Sequence, residues 1–202
     1  MANGRVITGY SMPKVAVYSY ATNTVTYTGL TALARGVSVS MDVETSDSTD
    51  FYADNVLAES AGGRFTGGTI TLTVDGLKDA ARKLIQGLPT ETSMSVSISG
   101  TTTTVKVLEY DDRQSAPYVG IGFIVRYMEN GVTSYVPVVL TKCIFDVDTI
   151  DAETQGENID FQTAELTATI ARDDTTNHTW RRIGEAQTTE AAAEAVIAAM
   201  LA

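Results

Sequence analysis

Residues whose types could support chemistry are few and scattered. The one histidine, His178, lies in "TTNHTWRRIG" beside Trp180, and the one cysteine, Cys143, lies in the apolar run "VPVVLTKCIFDV". General-base catalysis by histidine needs a nucleophile within hydrogen-bond reach, and the sequence contains no GxSxG turn that would present one. His178 therefore reads as a capping or surface residue. Cys143 has no second cysteine to pair with and reads as a small core side chain rather than a reactive thiol. Carboxylates are plentiful, but most lie in charged turns such as "EYDDR", where solvent keeps them ordinary acids. The chain reads as a non-enzyme.

Metal and phosphate chemistry fare no better. In "DVDTIDAETQGE" the acids Asp146, Asp148 and Asp151 faintly resemble a calcium loop. The position that calls for glycine is taken by Asp151, and the acid spacing drifts, so the segment reads as a strand end followed by a polar loop. "GGRFTGG" lacks the lysine of a phosphate-binding loop and leads into a strand rather than a helix, so its glycines suit flexibility or a bulge. No cofactor and no metal site is expected.

The formal charge is −11, from 14 basic and 25 acidic residues, and the bases are scattered. Gripping phosphates needs clustered Lys and Arg, so a nucleic-acid-binding surface is not expected. Solubility alone would account for the acidity. The sequence has no run of about 18 apolar residues that would span a bilayer, and "MANGRVITGYSMPK" has no apolar stretch after a basic start. No membrane association is expected, and the chain is expected to be made in a cytoplasm.

At 202 residues and 44% hydrophobic, the chain is long enough to build an ordinary core, burying ~70% of the surface its unfolded form would expose. Alternation with a period of two dominates. Val37, Val39, Met41 and Val43 share one face of "GVSVSMDVE"; Ile70, Leu72 and Val74 share one face of "GGTITLTVDG"; Met94, Val96 and Ile98 share one face of "MSVSISG". Each predicts a half-buried strand. Val119, Ile121, Phe123, Val125 and Tyr127 alternate with small or polar residues as far as Asn130-Gly131, a hairpin turn signal. Ala164, Leu166, Ala168 and Ile170 alternate with Thr163, Glu165, Thr167 and Thr169 in another two-faced strand. The outward rows of Ser and Thr are either simply solvated or line an enclosed aqueous surface, and periodicity does not separate the two.

Two helices interrupt this pattern. "DGLKDAARKLIQGLP" places Leu77, Ala80, Ala81, Leu84, Ile85 and Leu88 at helical spacing, with Asp75 as the expected cap and a stop at Gly87 before Pro89. "TTEAAAEAVIAAMLA" forms helix readily but is too short to hold alone, so Val196, Ile197, Met200 and Leu201 are expected to dock it. The domain reading is a β domain over 1–186, with an extended loop at about 44–64, followed by an Ala-rich helix or arm over 187–202.

The loop poses its own question. "TDFYADNVLAES" sets Phe51 and Tyr52 between a polar entry, "ETSDSTD", and the glycine-rich "AGGRFTGG". Large rings have no use in a solvated linker, so the segment either folds back on its own domain or is covered by a partner.

The order of these features resembles the major tail protein family of long-tailed bacteriophages. The strand "GVSVSMDVETS", the loop with "FYADN", the glycine-rich "GGRFTGGTITLTV" and the helix ending "LIQGL" carry the resemblance. "APYVGIGFIVRYMENGVTSYVPVVLTKCIF" looks like that family's central hairpin, and "ETQGENIDFQTAELTATIAR" looks like its penultimate loop and strand. The likeness runs from about Lys14 to Arg182; the Ala-rich end departs from it.

The resemblance implies a mainly β fold, a β-sandwich or barrel of tail-tube type with a flanking helix and a long inter-strand loop, to which the C-terminal helix is added. It implies a structural subunit that assembles with itself as hexameric rings stacked into a hollow tube in the virion tail. The tape measure protein and the tail terminator and tip proteins would be further partners, and DNA would pass through the lumen without specific binding. The loop would then supply a subunit interface through Phe51, Tyr52, Asp54, Asn55 and Val56. A tube protein of a contractile bacteriocin or secretion machine would share the fold, and a β-sandwich adhesin or capsid decoration protein would share the alternation without needing a ring-closing loop.

Overall fold

Period-two alternation becomes strands along most of the chain. In a computed structural model, which describes residues 4–150, 152–154 and 161–202, the protein is mainly β with antiparallel sheets and two helices. The first half carries β1 (Val6–Ala21), β2 (Thr24–Ala32), β3 (Gly36–Thr45), β4 (Thr49–Ala53), β5 (Val56–Ala61), β6 (Phe65–Val74) and helix α1 (Asp79–Gln86). The second half carries β7 (Thr92–Ile98), β8 (Thr101–Val107), β9 (Val119–Glu129), β10 (Val132–Phe145), β11 (Ala164–Ala171), β12 (Arg181–Ile183) and helix α2 (Glu190–Met200). The loop expected at "ETQGENIDF" and Asp151 of the faint calcium pattern lie outside the described residues.

Eight strands make one sheet in the order β2-β1-β9-β10-β11-β6-β3, with β12 on β10. Asn130 and Gly131 both adopt positive φ, 51° and 79°, which is what a two-residue hairpin turn matching the strand twist demands. The pairing of β1 with β9 slips between Ile7 and Gly9 and again between Ser11 and Lys14. These bulges, the second holding Met12 at φ 53°, bend the 16-residue strand. The sheet curls far enough that Gly36 of β3 returns to Tyr10 of β1. A Cβ on Gly36 would stand 2.3 Å from that ring.

The concave side holds the main core. Ile70, Leu72 and Val74 of β6, Val119 and Ile121 of β9, and Leu166, Ala168 and Ile170 of β11 are all buried there, as their alternation predicts. Helix α1 adds Ala81 and Ile85 to it. Its cap differs from expectation: Lys78 takes the N-cap position without a side-chain bond, while Asp75 accepts from the Arg35 backbone N–H at 2.9 Å and pairs with its guanidinium. Asp75 is three residues too early to reach the first helical N–H groups, which must be met within one turn. Gly87 ends α1 in the left-handed conformation at φ 58°. A Cβ there would lie 1.8 Å from the Ser115 carbonyl oxygen, so only glycine fits.

Helix α2 lies on the opposite face of the same sheet. Alternation on β9 turns Gly120, Gly122 and Ile124 away from the main core, and Ile197 and Leu201 pack against this second face with Ala16, Tyr27 and Val139. A Cβ on Gly122 would stand 2.4 Å from Ile197, and one on Gly120 2.5 Å from Leu201. The two glycines are therefore a socket for the helix. Val196 and Met200 meet Gly184 at the rim. Burying Ile197 and Leu201 contributes about 1.5–3 kcal/mol each, which holds an 11-residue helix that would be marginal alone.

Two expectations of half-buried strands need correction. Val37 is 54% exposed, because the β3–β6 register slips between Gly36 and Ser38 and turns it outward. Met94 and Ile98 are also exposed: among the described residues β7 pairs only with β8, in a separate two-stranded sheet most of whose residues face solvent.

Candidate assembly surface

The segment expected to be a long loop at about 44–64 is a β-hairpin. β4 and β5 pair with Ala53 opposite Val56, Tyr52 opposite Leu57 and Phe51 opposite Glu59. Asp54 and Asn55 both hold positive φ, 52° and 63°, the turn geometry that suits short Asx side chains. At its base the Ser46 N–H donates to the Arg64 carbonyl (2.8 Å), and the Arg64 N–H donates to the Ser46 hydroxyl (3.0 Å). Gly63 lies so close to the Ser46 carbonyl that a Cβ would come within 2.1 Å. The hairpin's paired strands, five and six residues long, run roughly 17–20 Å at about 3.3 Å per residue.

Every residue of β4 and β5 is exposed. Phe51 is 63% exposed, Tyr52 61% and Val56 66%, so the rings do not fold back on their own domain. Cross-strand partners share a face and successive residues alternate. Phe51, Ala53 and Val56 therefore lie on one face, while Tyr52 and Leu57 lie on the other. From Glu44 to Gly63 the chain carries Glu44, Asp47, Asp50, Asp54 and Glu59 and no basic residue. Of the residues expected at an interface, Phe51, Tyr52 and Val56 are thus strand residues, and Asp54 and Asn55 are the turn.

A second hairpin was not legible as an arm. In β7–β8, Met94 faces Val105, Val96 faces Thr103 and Ile98 faces Thr101, while the reverse face carries Ser93, Ser95 and Ser97 opposite Lys106, Thr104 and Thr102. It is apolar on one side only. Its base is tied to α1 where Glu91 pairs with Lys83 (3.2 Å) and Lys106 (3.3 Å), contacts that hold the Glu91 carboxyl below its usual range. A further exposed apolar group, Val6, Ile7 and Val132, marks the far end of β1, β9 and β10.

The outward face of β3, β6 and β11 has the opposite character. Its cross-strand rows read Ser38-Thr73-Glu165, Ser40-Thr71-Thr167 and Asp42-Thr69-Thr169. Ser38 donates to Thr73 at 2.9 Å. These nine positions hold hydroxyls and acids, with no base and no large apolar group.

Where β11 ends, four side chains form a stack. The rings of Phe65 and Trp180 lie parallel, with centroids 4.3 Å apart and planes at 2°. The Arg172 guanidinium stands over Phe65 at 5.9 Å and that of Arg181 over Trp180 at 4.5 Å. The connection that delivers Trp180 is anchored: Asp174 accepts from Tyr18 (2.8 Å) and Lys142 (2.7 Å), Asn23 accepts from the Thr176 N–H (3.0 Å), and the Thr141 hydroxyl donates to the Thr179 carbonyl (2.6 Å). The Lys142 ammonium, then Tyr18, hold the Asp174 carboxyl below its ordinary range. Nothing in the sequence marked this stack, since its members come from positions 65, 172, 180 and 181.

The residues first considered for chemistry do not converge. Cys143 is wholly buried in the core, where desolvation pushes its thiol up and away from reactivity. His178 sits exposed in a turn at φ 50°, its Nδ1 3.2 Å from the Asp173 carbonyl. Asp148 is engaged by Arg82 (2.7 Å) and the Tyr110 hydroxyl (2.8 Å). Among the described residues no group of three or more His, Cys, Asp or Glu is placed to hold a metal. Compared with known proteins, the sequence matches no family model and no curated protein.

Proposed function

We propose that this chain is the structural subunit of a bacteriophage tail tube, closing into hexameric rings that stack around a channel for DNA. The observation that carries the reading is the β4–β5 hairpin, which holds Phe51, Tyr52, Val56 and Leu57 exposed on two faces. A two-stranded hairpin is at best marginal in water, and apolar groups on both of its faces gain stability only when a partner encloses it. A repeating assembly supplies such a partner at every subunit. The β7–β8 hairpin offers a second contact of the same kind.

The hydroxyl and acid face of β3, β6 and β11 supports a channel wall. A passing polyanion is repelled by carboxylates and finds no base to release counterions onto, so transport would not stall. In this reading the tape measure protein and the tail terminator and tip proteins are its further partners. The test is purification followed by light scattering and electron microscopy. Hollow tubes of uniform width, lost when Phe51 and Tyr52 are both changed to Ser in an otherwise stable monomer, are the expected result. A chain that stays monomeric at high concentration and alongside candidate tail partners would sink the reading.

A further inference from the structure

We infer that the Phe65-Trp180 stack with its two guanidinium groups is the receptor for the β4–β5 hairpin of a second copy of this chain. The inference rests on the hairpin being an assembly arm and names what it grips.

Three observations converge on this occupant. The first is charge: among the described residues Arg172 and Arg181 have no carboxylate within ion-pair distance, and both are exposed. The hairpin has the opposite deficit, with acids along its length and no base. The second is pattern. Phe51 faces its cross-strand partner Glu59, so one face of the hairpin presents a ring beside a carboxylate, while Asp50 lies on the reverse face, where it accepts from the Ser60 hydroxyl (2.5 Å). The stack presents rings flanked by guanidiniums. Carboxylate against guanidinium satisfies the charges of both, and Arg makes such planar contacts better than Lys does. Phe51 packs alongside the stack, because the ring faces of Phe65 and Trp180 are already covered by each other and by the guanidiniums.

The third observation is an open edge. Among the described residues β12 pairs with β10 alone, and the Trp180 carbonyl and Gly184 N–H bond toward β10. By the antiparallel alternation, the backbone groups of Arg181 and Ile183 therefore point away from it. An incoming strand could add there beside the stack. Phe65 stands at the root of the chain's own hairpin, so the contact joins the root of one copy to the arm of the next. Such head-to-tail contacts close into rings where the rotation between neighbours divides a full turn, and run on as filaments where it does not.

Charge exchange tests the assignment. Arg172→Glu with Arg181→Glu, and separately Asp50→Lys with Glu59→Lys, should each slow assembly at least ~10-fold at low salt, through mismatched charge. The four changes together should restore it to within about threefold. A fourfold variant no better than either pair, or a platform variant that assembles normally, overturns the inference. If the platform pair assembles normally while Phe51→Ser with Tyr52→Ser does not, the arm reading stands and its receptor lies elsewhere. If both assemble normally, the arm reading falls as well. Should the Glu changes unfold the monomer, Arg172→Gln with Arg181→Gln takes their place: wild-type assembly should slow with added salt, whereas the Gln pair should be slow and nearly salt-independent. Equal salt slopes would count against the receptor.

Discussion

The β4–β5 and β7–β8 hairpins share a plan, two strands about a left-handed turn with no third strand paired to them among the described residues, yet apolar residues occupy both faces of the first and one face of the second. Their charges differ as well. The first is acidic throughout; the second carries Lys106 within an otherwise neutral run of Ser and Thr. A one-sided hairpin is satisfied by lying on a surface, because its hydroxyl face is content in water. A two-sided hairpin must be enclosed. The two arms, both largely exposed, therefore make unequal demands on a partner.

Several measurements would break or sharpen that contrast. The largest effect is expected from Phe51→Ser with Tyr52→Ser, which strips both faces of the first arm. It should remove roughly 2–4 kcal/mol per interface and abolish tubes, while the monomer's Tm moves by less than about 2 °C because neither ring packs on the core. A large fall in monomer Tm would show that the rings support the domain itself.

Met94→Ser with Ile98→Ser strips the single apolar face of the second arm and should cost about 1–3 kcal/mol per interface. The critical concentration for assembly should rise by about tenfold, with tubes still forming at higher concentration. Complete loss of tubes would put the two arms on an equal footing and erase the contrast.

Hydrogen exchange should separate the arms without mutation. In the monomer the amides of both hairpins should exchange within seconds, while β9 and β10 stay protected. Assembly should protect β4 and β5 on both strands and β7–β8 less. The smallest effect is expected at the turn, where Asn55→Gly eases a residue at φ 63°. It should firm the hairpin by about 0.5 kcal/mol or less and slow its exchange by no more than about twofold.

Strands whose one face meets the core were legible from the chain alone. Ile70, Leu72 and Val74, and Leu166, Ala168 and Ile170, alternate strictly because each second residue must be apolar to be buried. Asn130-Gly131 fixed its hairpin because few other residue pairs accept positive φ twice. The docking of the last helix was readable too: Ala-rich helices of that length need support, and the stripe through Ile197 and Leu201 is the one the sheet buries. The β4–β5 pair was not, since adjacent aromatics on opposite faces break alternation and Asp54-Asn55 is a weaker turn signal than Asn-Gly. β1 and β2 stayed hidden behind bulges and the Pro13 that interrupts "YSMPKVAV".

What the sequence determined by itself is which residues of a strand share a face, because that depends only on the two-residue repeat of the extended chain. What tertiary structure decided is whether anything lies against that face. Met94 and Ile98 carry the same pattern as Ile70 and Leu72, yet one pair stands in solvent and the other in the core. The glycines at 120 and 122 look merely small until Ile197 and Leu201 descend on them, and Phe65 meets Trp180 only because the sheet brings positions more than a hundred residues apart to one edge. Alternation is a local property of the backbone. Cover is supplied by segments distant in sequence, and no local pattern encodes their arrival.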